Sequence, residues 1–250
     1  MVFPSKTNKL IGKALAEFSM IDDGDRILVA VSGGVDSLVL ASVLDLWRKK
    51  APITYDIHCI HLDMGFPHSN LDLIQTELDK IGASTEIIRT SLGPDAQAEA
   101  SGTICYHCAR NRRTKFFALC RERGFNKLAL GHHKEDIVET LFINLFYGGN
   151  ISTMLPKQQL FGGNLHIIRP LAFLLKKDIT TLSDLFGYLP VKNSCPEAGS
   201  SKRDYVRGIL GELYKKDPDL IHTIYSSMTH VRPEYLLDTA LKERLSIKTT

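Results

Sequence analysis

A short run of small and acidic residues follows the first strongly apolar stretch of the chain. Arg26–Val31 is rich in aliphatic side chains and leads directly into Ser32-Gly-Gly-Val-Asp-Ser37. A buried strand that turns through glycines into a helix points several backbone N–H groups at one place, where the helix dipole also favours an anion. The glycines let a ligand approach the backbone closely, and the serines add hydroxyl donors. The run therefore predicts a phosphate-binding loop.

Asp36 is the acidic member of this loop, and its position predicts a divalent cation. A carboxylate beside phosphates is repulsive unless a cation lies between them, so we expect Asp36 to bind Mg²⁺ and to be catalytic. The lysine-bearing motif G-x-x-x-x-G-K-S/T occurs nowhere in the chain, which disfavours transfer of a γ-phosphate. The loop instead resembles the PP-loop of the N-type ATP pyrophosphatases, which cleave ATP between its α- and β-phosphates. A purely structural Ser-Gly-Gly turn is the alternative.

Cysteines form the second group of residues with chemistry. Cys105 and Cys108 make a C-x-x-C at the start of a predicted helix, a spacing that lets two thiolates bind one metal centre. Cys195 is the third candidate ligand. Three interpretations are open: a [4Fe–4S] cluster with one iron that the protein does not ligate, a zinc site completed by a histidine such as His107, and persulfide chemistry at a thiol. An odd number of cysteines argues for these over a disulfide framework.

A basic run and the start of an acidic helix add two more candidate catalytic residues. Arg112 follows Cys108 on the same predicted helix, where it would stabilise charge on a transferring adenylate or contact RNA. A solvated helix face is the alternative interpretation. Asp136 begins a helix directly after His132 and His133, whose adjacent side chains point apart and disfavour a metal site of two histidines. We therefore predict a helix at Lys134–Phe146 whose apolar stripe packs in the core, with Asp136 as the functional group at its start.

The elements that must position these residues alternate between strands and helices. Apolar, β-branched runs predict strands at Arg26–Val31, Thr54–Leu62, Ser84–Arg89 and Lys127–Leu130, with a short β element at Leu165–Ile168. Helical segments separate the first four runs, which predicts an α/β fold with a doubly wound parallel sheet. Ligands of such sheets bind beyond the carboxyl ends of the strands, so the three loops that follow Val31, Leu62 and Leu130 should share one cleft.

The predicted nucleotide-binding residues come from these three loops. They are Ser32, Gly33, Gly34, Val35, Asp36, Ser37, His61 and Gly131. We divide the chain into an N-terminal helix at 1–22, a PP-loop ATP-pyrophosphatase domain at 23–172, and a C-terminal helical region at 173–250 that supplies Cys195. In the last region, helices are predicted near Lys176–Gly187, Lys202–Lys215 and Asp217–Met228.

Composition limits the class of protein. The chain has 250 residues, of which 44% are apolar, enough for a full core. The chain has 31 Lys and Arg against 28 Asp and Glu, a net charge of +3. A protein with so small a net charge would bind nucleic acid weakly, so any RNA contacts must come from local basic patches. No apolar run approaches the roughly 20 residues that span a bilayer, and no signal-peptide core begins the chain. We expect a cytoplasmic protein without a membrane partner.

Taken together, the motifs resemble the tRNA 2-thiocytidine synthetase family from about Asp25 to Asp238. Besides the loop and the C-x-x-C with its basic run, the resemblance rests on Gly131–Leu141, Phe146–Gly149, Ile168–Leu171 and the late Cys195. It implies an ATP-dependent tRNA sulfurtransferase that adenylates the C2 oxygen of a cytidine and replaces it with sulfur, releasing AMP and pyrophosphate.

The resemblance also implies roles for individual residues. Cys105, Cys108 and Cys195 match the ligands of a three-cysteine [4Fe–4S] cluster, residues 32–37 match the ATP loop, and Asp136 matches the second acidic residue of the site. The family's loops often have Lys where this chain has Val35.

The implied cofactors are ATP, Mg²⁺ and the cluster, and the implied partners are tRNA and a sulfur donor, either a cysteine desulfurase or free sulfide. A homodimer is left open. The alternatives are a PP-loop enzyme that inserts sulfur into another tRNA base or a small molecule, an ammonia-using synthetase, and a sensor that binds ATP without releasing pyrophosphate.

Overall fold

A computed structural model describes residues 4–67, 69–99, 104–191, 195 and 201–245. The chain divides into two compact units, residues 1–206 and residues 207–250. The predicted domain boundaries after residues 22 and 172 stay a prediction. Within the described ranges, no helix has both the length and the apolar character needed to cross a membrane.

The first unit is built on one sheet. Its strands are β1 (Asp25–Val31), β2 (Tyr55–Asp63), β3 (Ser84–Arg89), β4 (Lys127–Ala129), β5 (Lys157–Leu160) and β6 (Leu165–Ile168). Their spatial order is β3-β2-β1-β4-β6-β5. Neighbours are parallel except for β5 and β6, which pair antiparallel at one edge. The predicted α/β fold with a doubly wound, mostly parallel sheet is confirmed.

Helices connect and cover the strands. Those of the first unit are α1 (Ser5–Glu17), α2 (Val35–Arg48), α3 (Leu71–Asp79), α4 (Leu92–Ala98), α5 (Ile104–Arg123), α6 (Lys134–Ile143) and α7 (Lys176–Phe186). The helix α8 (Lys202–Lys216) crosses the boundary between the units, and α9 (Leu220–Ser227) and α10 (Thr239–Arg244) belong to the second. Most of these helices begin and end within a few residues of the segments that show helical periodicity in the sequence.

Strand register brings the three predicted loops to one edge of the sheet. In β1 and β2, Val31 lies opposite His61, and Val29 of β1 lies opposite Ala129 of β4. All three strands run in the same direction, so the chain leaves each of them at the same edge. This confirms that the loops after β1, β2 and β4 share a cleft, the usual ligand position in such folds.

Burial explains why these segments form a central sheet. Residues 27–31 of β1 are buried, and α2 is buried from Ser37 to Asp45. Parallel strands covered by helices on both faces need such continuous apolar runs. Cys59 in β2 and Cys120 in α5 are buried, and burial raises the pKa of each thiol to about 12. Both thiols therefore belong to the hydrophobic core.

Two segments differ from the sequence-based expectation. The helix predicted from Lys134 to Phe146 ends at Ile143 and continues as one π-helical turn, Asn144–Gly148. The prediction that the apolar side chains of this helix pack in the core was wrong at its C-terminal end, because Leu145 is 38% and Phe146 51% exposed. The edge strand β5 was not predicted at all.

Candidate active site

The loop between β1 and α2 is closed by hydrogen bonds among its own residues. The Ser37 hydroxyl accepts the Ser32 N–H at 3.0 Å and donates to the Gly34 carbonyl at 2.8 Å. The Ser32 hydroxyl accepts the Gly34 N–H at 3.3 Å. Gly33 has a φ of +88°, and a Cβ there would lie 2.4 Å from Cδ1 of Ile74. The serines therefore hold the turn that only glycine can make.

The first turn of α2 supplies the anion-binding character of this loop. Gly34 is the N-cap of a 14-residue helix and makes no side-chain capping bond. Like those of any helix start, the N–H groups of Val35 and Asp36 have no intrahelical acceptor. Together with the positive end of the helix dipole, these donors suit a phosphate oxygen.

A cavity of about 520 Å³ opens beyond the ends of β1, β2 and β4. Most of the predicted nucleotide-binding and catalytic residues line it: Ser32, Gly34, Asp36, Ser37, His61, Arg112, Gly131 and Asp136. Gly33 and Val35 belong to the same loop but are not among the lining residues. The structure thus brings together residues that are separated by as many as 104 positions in the chain.

Two polar groups at the end of β2 border the cavity. His61 Nδ1 lies 2.9 Å from the Val31 carbonyl, so this nitrogen carries the proton and Nε2 is left as an acceptor. Burial lowers the pKa of His61, which keeps the ring neutral at pH 7. Asp63 also lines the cavity, and its carboxylate accepts the Gly65 N–H at 3.1 Å.

The loop after β4 packs directly on the phosphate-binding loop. A Cβ on Gly131 would lie 3.0 Å from backbone atoms of Asp36 and Ser37, so a side chain there would push the two loops apart. Beside it, Arg169 Nε donates to His132 Nδ1 at 3.1 Å. Burial and the neighbouring arginines lower the pKa of His132, so the ring is neutral and its proton lies on Nε2.

The start of α6 holds a hydrogen-bonded acidic group. Asp136 Oδ2 accepts the His133 N–H at 3.0 Å, and His133 Nδ1 lies 2.9 Å from Glu135 Oε2. Burial acts to raise the pKa of Asp136, but the charge of His133 and this hydrogen bond outweigh it, and the pKa is lowered. Burial acts to lower the pKa of His133, but Glu135 and Asp136 raise it overall. The segment therefore presents an ionised carboxylate to the cavity.

Arg203, near the start of α8, clamps this group from the other side. Its Nη1 lies 3.4 Å from Asp136 Oδ1 and 3.3 Å from Glu139 Oε2, and its Nη2 donates to Thr140 Oγ1 at 3.2 Å. Glu139 is only 3% exposed. Arg203 therefore neutralises two carboxylates on one face of α6.

One helix links the cavity to the cysteines. Cys105 is exposed and Cys108 half-buried in the first turns of α5, while Arg112 and Arg113 of the same helix line the cavity. Cys108 and Arg112 are four residues apart and so lie on the same helix face. Accordingly, the charge of Arg112 acts to lower the pKa of Cys108. Among the described residues, Arg112 has no ion-pair partner.

Cys195 lies close enough to Cys108 for its charge to act on that thiol. Burial and then the charges of Cys195 and Cys105 raise the pKa of Cys108. The described residues nevertheless contain no group of three or more His, Cys, Asp or Glu side chains arranged to hold a metal ion. Among the described residues, the thiols therefore do not form a complete set of metal ligands. His107, the candidate zinc ligand, is buried and pairs with Glu99.

Three basic residues of the site were missed in the sequence. Arg169 and Arg203 hold His132 and Asp136, as described above. Lys176, the first residue of α7, pairs with Asp36. Arg169 lies in the Ile168–Leu171 motif, which was a usable signal, whereas nothing in the spacing marks Lys176 or Arg203, because each reaches the site only through the tertiary fold.

Comparisons with known proteins agree with this arrangement. A family model described as a PP-loop domain matches residues 4–210. A tRNA-cytidine(32) 2-sulfurtransferase of Syntrophotalea carbinolica is 36% identical over 242 residues, covering 95% of this chain and 93% of that protein. The enzyme of the same name from Vibrio cholerae is 38% identical over 240 residues, covering 94% of this chain and 77% of that protein.

A solved structure is similar as well. The U34-tRNA thiolase NcsA from Methanococcus maripaludis, determined with its [4Fe-4S] cluster, superposes with a TM-score of 0.73 at 20% identity, covering 90% of this chain and 79% of that one. At this identity the likeness concerns the fold.

Fold, loop and family match define the class: this chain is a PP-loop protein. Within that class, it belongs to the tRNA 2-thiocytidine synthetase family, whose members include the tRNA-cytidine(32) 2-sulfurtransferases. The family resemblance predicted from the motifs is confirmed, and so is the prediction that the chain is an enzyme of this family.

Proposed function

We propose that this protein is an ATP-dependent tRNA sulfurtransferase that replaces the C2 oxygen of a cytidine with sulfur. The observation that carries the proposal is that one helix, α5, connects the C-x-x-C to the nucleotide cavity. Cys108 and Arg112 lie on the same face of α5, and Arg112 lines the cavity. The names of the relatives support tRNA as the substrate and position 32 as the cytidine.

ATP binds with its phosphates at the start of α2. The loop N–H groups hold the phosphate oxygens, and His61 Nε2 accepts a hydrogen bond from the adenosine part of the nucleotide. Asp36 would be the Mg²⁺ ligand from this chain, which fits the ion because Mg²⁺ is usually held by one or two carboxylates together with waters and substrate phosphates. Asp63 and Asp136 also line the cavity. When bound, Mg²⁺ neutralises the charge of the departing pyrophosphate.

Cys105, Cys108 and Cys195 hold a [4Fe–4S] cluster. Three neighbouring thiols of which one is exposed and two are half-buried fit such a group, since thiolates are its normal ligands. When bound, such a cluster would supply one iron without a protein ligand, a site that can carry sulfur. Zinc with His107 as a further ligand is the alternative, and metal analysis of the purified protein separates the two.

The reaction exchanges one oxygen for one sulfur. The cytidine C2 oxygen attacks the α-phosphorus of ATP, the bond to the bridging oxygen breaks, and pyrophosphate leaves. A sulfur nucleophile then adds to C2, the C2–oxygen bond breaks, and the oxygen departs as part of AMP. No net redox change occurs at the base.

The residues of this chain act by charge and position. Arg112 contacts the α-phosphate or the adenylated base, because its guanidinium lines the cavity next to Cys108. Asp136 is held as an anion by His133 and Arg203 and orients the cytidine or the metal.

The remaining expectations follow from this function. We place the protein in the cytoplasm with tRNA, and we expect its sulfur from a cysteine desulfurase or free sulfide. The C-terminal region 173–250 supplies Cys195, and a homodimer is compatible with the proposal.

The proposal is tested on the full chain purified under anaerobic conditions and analysed for iron and sulfide. The protein is then incubated with ATP, Mg²⁺, sulfide and a tRNA transcript, and the nucleosides are measured by mass spectrometry. We expect 2-thiocytidine together with AMP, and a transcript with uridine at position 32 serves as the control.

The outcomes separate the alternatives. Activity in iron-free protein would remove the cluster from the proposal. AMP release that depends on ammonia, without thiolated nucleosides, would indicate an ammonia-using synthetase. Binding of ATP without pyrophosphate release would indicate a sensor, and a thiolated small molecule with unmodified tRNA would indicate the small-molecule alternative.

A further inference from the structure

The phosphate-binding loop has no cationic side chain of its own, and a lysine from a distant helix approaches it. Residues 32–37 read Ser-Gly-Gly-Val-Asp-Ser. Lys176 Nζ forms an ion pair with Asp36 Oδ1. Asp36 lines the cavity at the start of α2, whereas Lys176 is not among the lining residues, so this pair brings an ammonium group next to the loop that is predicted to bind the phosphates.

The backbone beneath Lys176 is anchored to the candidate site. Its N–H donates to Glu135 Oε1 at 2.9 Å, and the Lys134 N–H donates to the Leu174 carbonyl at 3.0 Å. The Leu175 N–H donates to Asp178 Oδ2 at 3.0 Å, which caps the start of α7. The base of the lysine is therefore held beside the first turn of α6, which also carries Asp136.

The side chain, in contrast, is free to change partners. The Lys176 side chain is 47% exposed and that of Asp36 31%. An ion pair this accessible to solvent contributes little to stability, so exchanging its partner costs little. A long, flexible stem carries the ammonium as a movable point charge, which suits phosphate binding.

We propose that Lys176 is a phosphate-binding residue that exchanges one partner for another. Without nucleotide it neutralises Asp36, and with ATP bound it donates to a β- or γ-phosphate oxygen while Asp36 turns to the metal. Lys176 thereby supplies the cation that the loop lacks at Val35. This inference rests on the proposed function, because it requires that the loop binds ATP.

Calorimetric titration with a non-hydrolysable analogue, α,β-methylene-ATP, tests the exchange in the full chain. With Mg²⁺ present, Lys176→Met should raise the Kd about 10-fold, the scale of one charge-assisted contact, and Lys176→Arg should restore most of the affinity. Lys177→Met is the matched control, because Lys177 is also exposed in the first turn of α7, and its Kd should stay near wild type.

A second set of titrations, without Mg²⁺, tests whether Lys176 neutralises the charge of Asp36. In EDTA, Lys176→Met leaves the Asp36 carboxylate facing the phosphates, so affinity should fall further than with Mg²⁺. Adding Asp36→Asn to that variant should recover part of the loss. Adenosine, which has no phosphate, should bind wild type and Lys176→Met equally.

The outcomes are distinct. Equal affinity of wild type and Lys176→Met for the analogue, or an equal loss for adenosine, would overturn the assignment of Lys176 while leaving the proposed function intact. A wild-type protein that binds no analogue at all would overturn both.

Discussion

In the first unit, the nucleotide cavity and the region of the three cysteines differ in how far contacts within the chain fix their side chains. In the cavity, the loop after β1 is closed by its serines, and Gly131 packs against it at the limit of contact. At the cysteines, Cys105 is exposed and Cys195 half-buried, and the described thiols form no closed set of ligands. The comparison teaches that contacts within the described chain organise the loop of the nucleotide cavity, whereas the described thiols are more open to solvent.

Helix α5 shows the same contrast along its own length. At its end, Arg123 Nη2 donates to Glu86 Oε1 of β3 at 3.1 Å, and Cys120 is buried. At its start, the helix carries Cys105 in solvent. One end of α5 is therefore fastened to the sheet, and the other is available for the chemistry of the thiols.

The largest effect should come from removing a thiol. Cys195→Ser should reduce iron binding and bring 2-thiocytidine formation to background, because one of three ligands is lost. The affinity for α,β-methylene-ATP should stay near wild type, since the cavity is organised without the thiols. Iron analysis, nucleoside mass spectrometry and calorimetric titration measure the three quantities.

The matched control is Cys120→Ala, on the same helix as the C-x-x-C but buried in the core. It should lower stability while keeping iron and thiolation. Loss of nucleotide binding in Cys195→Ser would break the contrast between the two regions.

A rigid contact in the cavity should give the next largest effect. In Gly131→Ala, the new Cβ would lie 3.0 Å from the backbone of Asp36 and Ser37, so the loops must separate. We expect a Kd for the ATP analogue raised about 10-fold, the cost of modest overpacking, with iron content unchanged.

Gly208→Ala in α8 is the control for this change, because its Cβ meets no atom within 4 Å. Unaltered nucleotide affinity in Gly131→Ala would show that the cavity is less rigid than the contacts indicate.

Arg203 tests how the acidic group is held. Arg203→Met leaves Glu139 buried without this cation, but Arg203 itself is 34% exposed, so the free energy of unfolding should fall by only about 1 to 2 kcal/mol. Urea denaturation measures the change. Lys215→Met, at a site 72% exposed, should have no measurable effect, and equal stability of both variants would contradict the clamp.

The smallest expected effect is on stability and comes from the ion pair that attaches the end of α5 to β3. The hydrogen bond from Arg123 is the main cause that lowers the pKa of Glu86, to about 2 from an ordinary value of 4.5. The folded pKa lies below the unfolded one, so the pair stabilises the protein above pH 4.5 and loses this contribution as the pH falls toward 2.

Both side chains are about one-third exposed, so Glu86→Gln should cost only about 0.5 kcal/mol at pH 7. The difference in unfolding free energy from wild type should shrink at pH 3. A constant difference at both pH values would show that the ion pair is not its source.

Much of the fold was predictable because its core strands are strongly patterned. β3 and β6 lie where the sequence predicts them, and β1 and β2 deviate by one residue at their ends. β5 was missed because Lys157–Leu160 is mostly polar, and an edge strand needs no apolar run. The exposed end of the helix after Asp136 was misjudged because an apolar stripe does not show what covers it.

The candidate site was predictable where residues follow strand ends. Ser32–Ser37, His61 and Gly131 all leave parallel strands at one edge, and sheet topology alone brings them together. Lys176 and Arg203 enter from helices far along the chain, so only the tertiary fold reveals them. Their contacts depend on the packing of α7 and α8, which no local pattern encodes.

The most direct test of the account follows the oxygen that links the two regions. A tRNA transcript with ¹⁸O at C2 of its cytidines is incubated with the iron-loaded protein, ATP, Mg²⁺ and sulfide, and the AMP is analysed by mass spectrometry. The account predicts one ¹⁸O atom in AMP for each 2-thiocytidine formed. Unlabelled AMP alongside thiolated tRNA would contradict it.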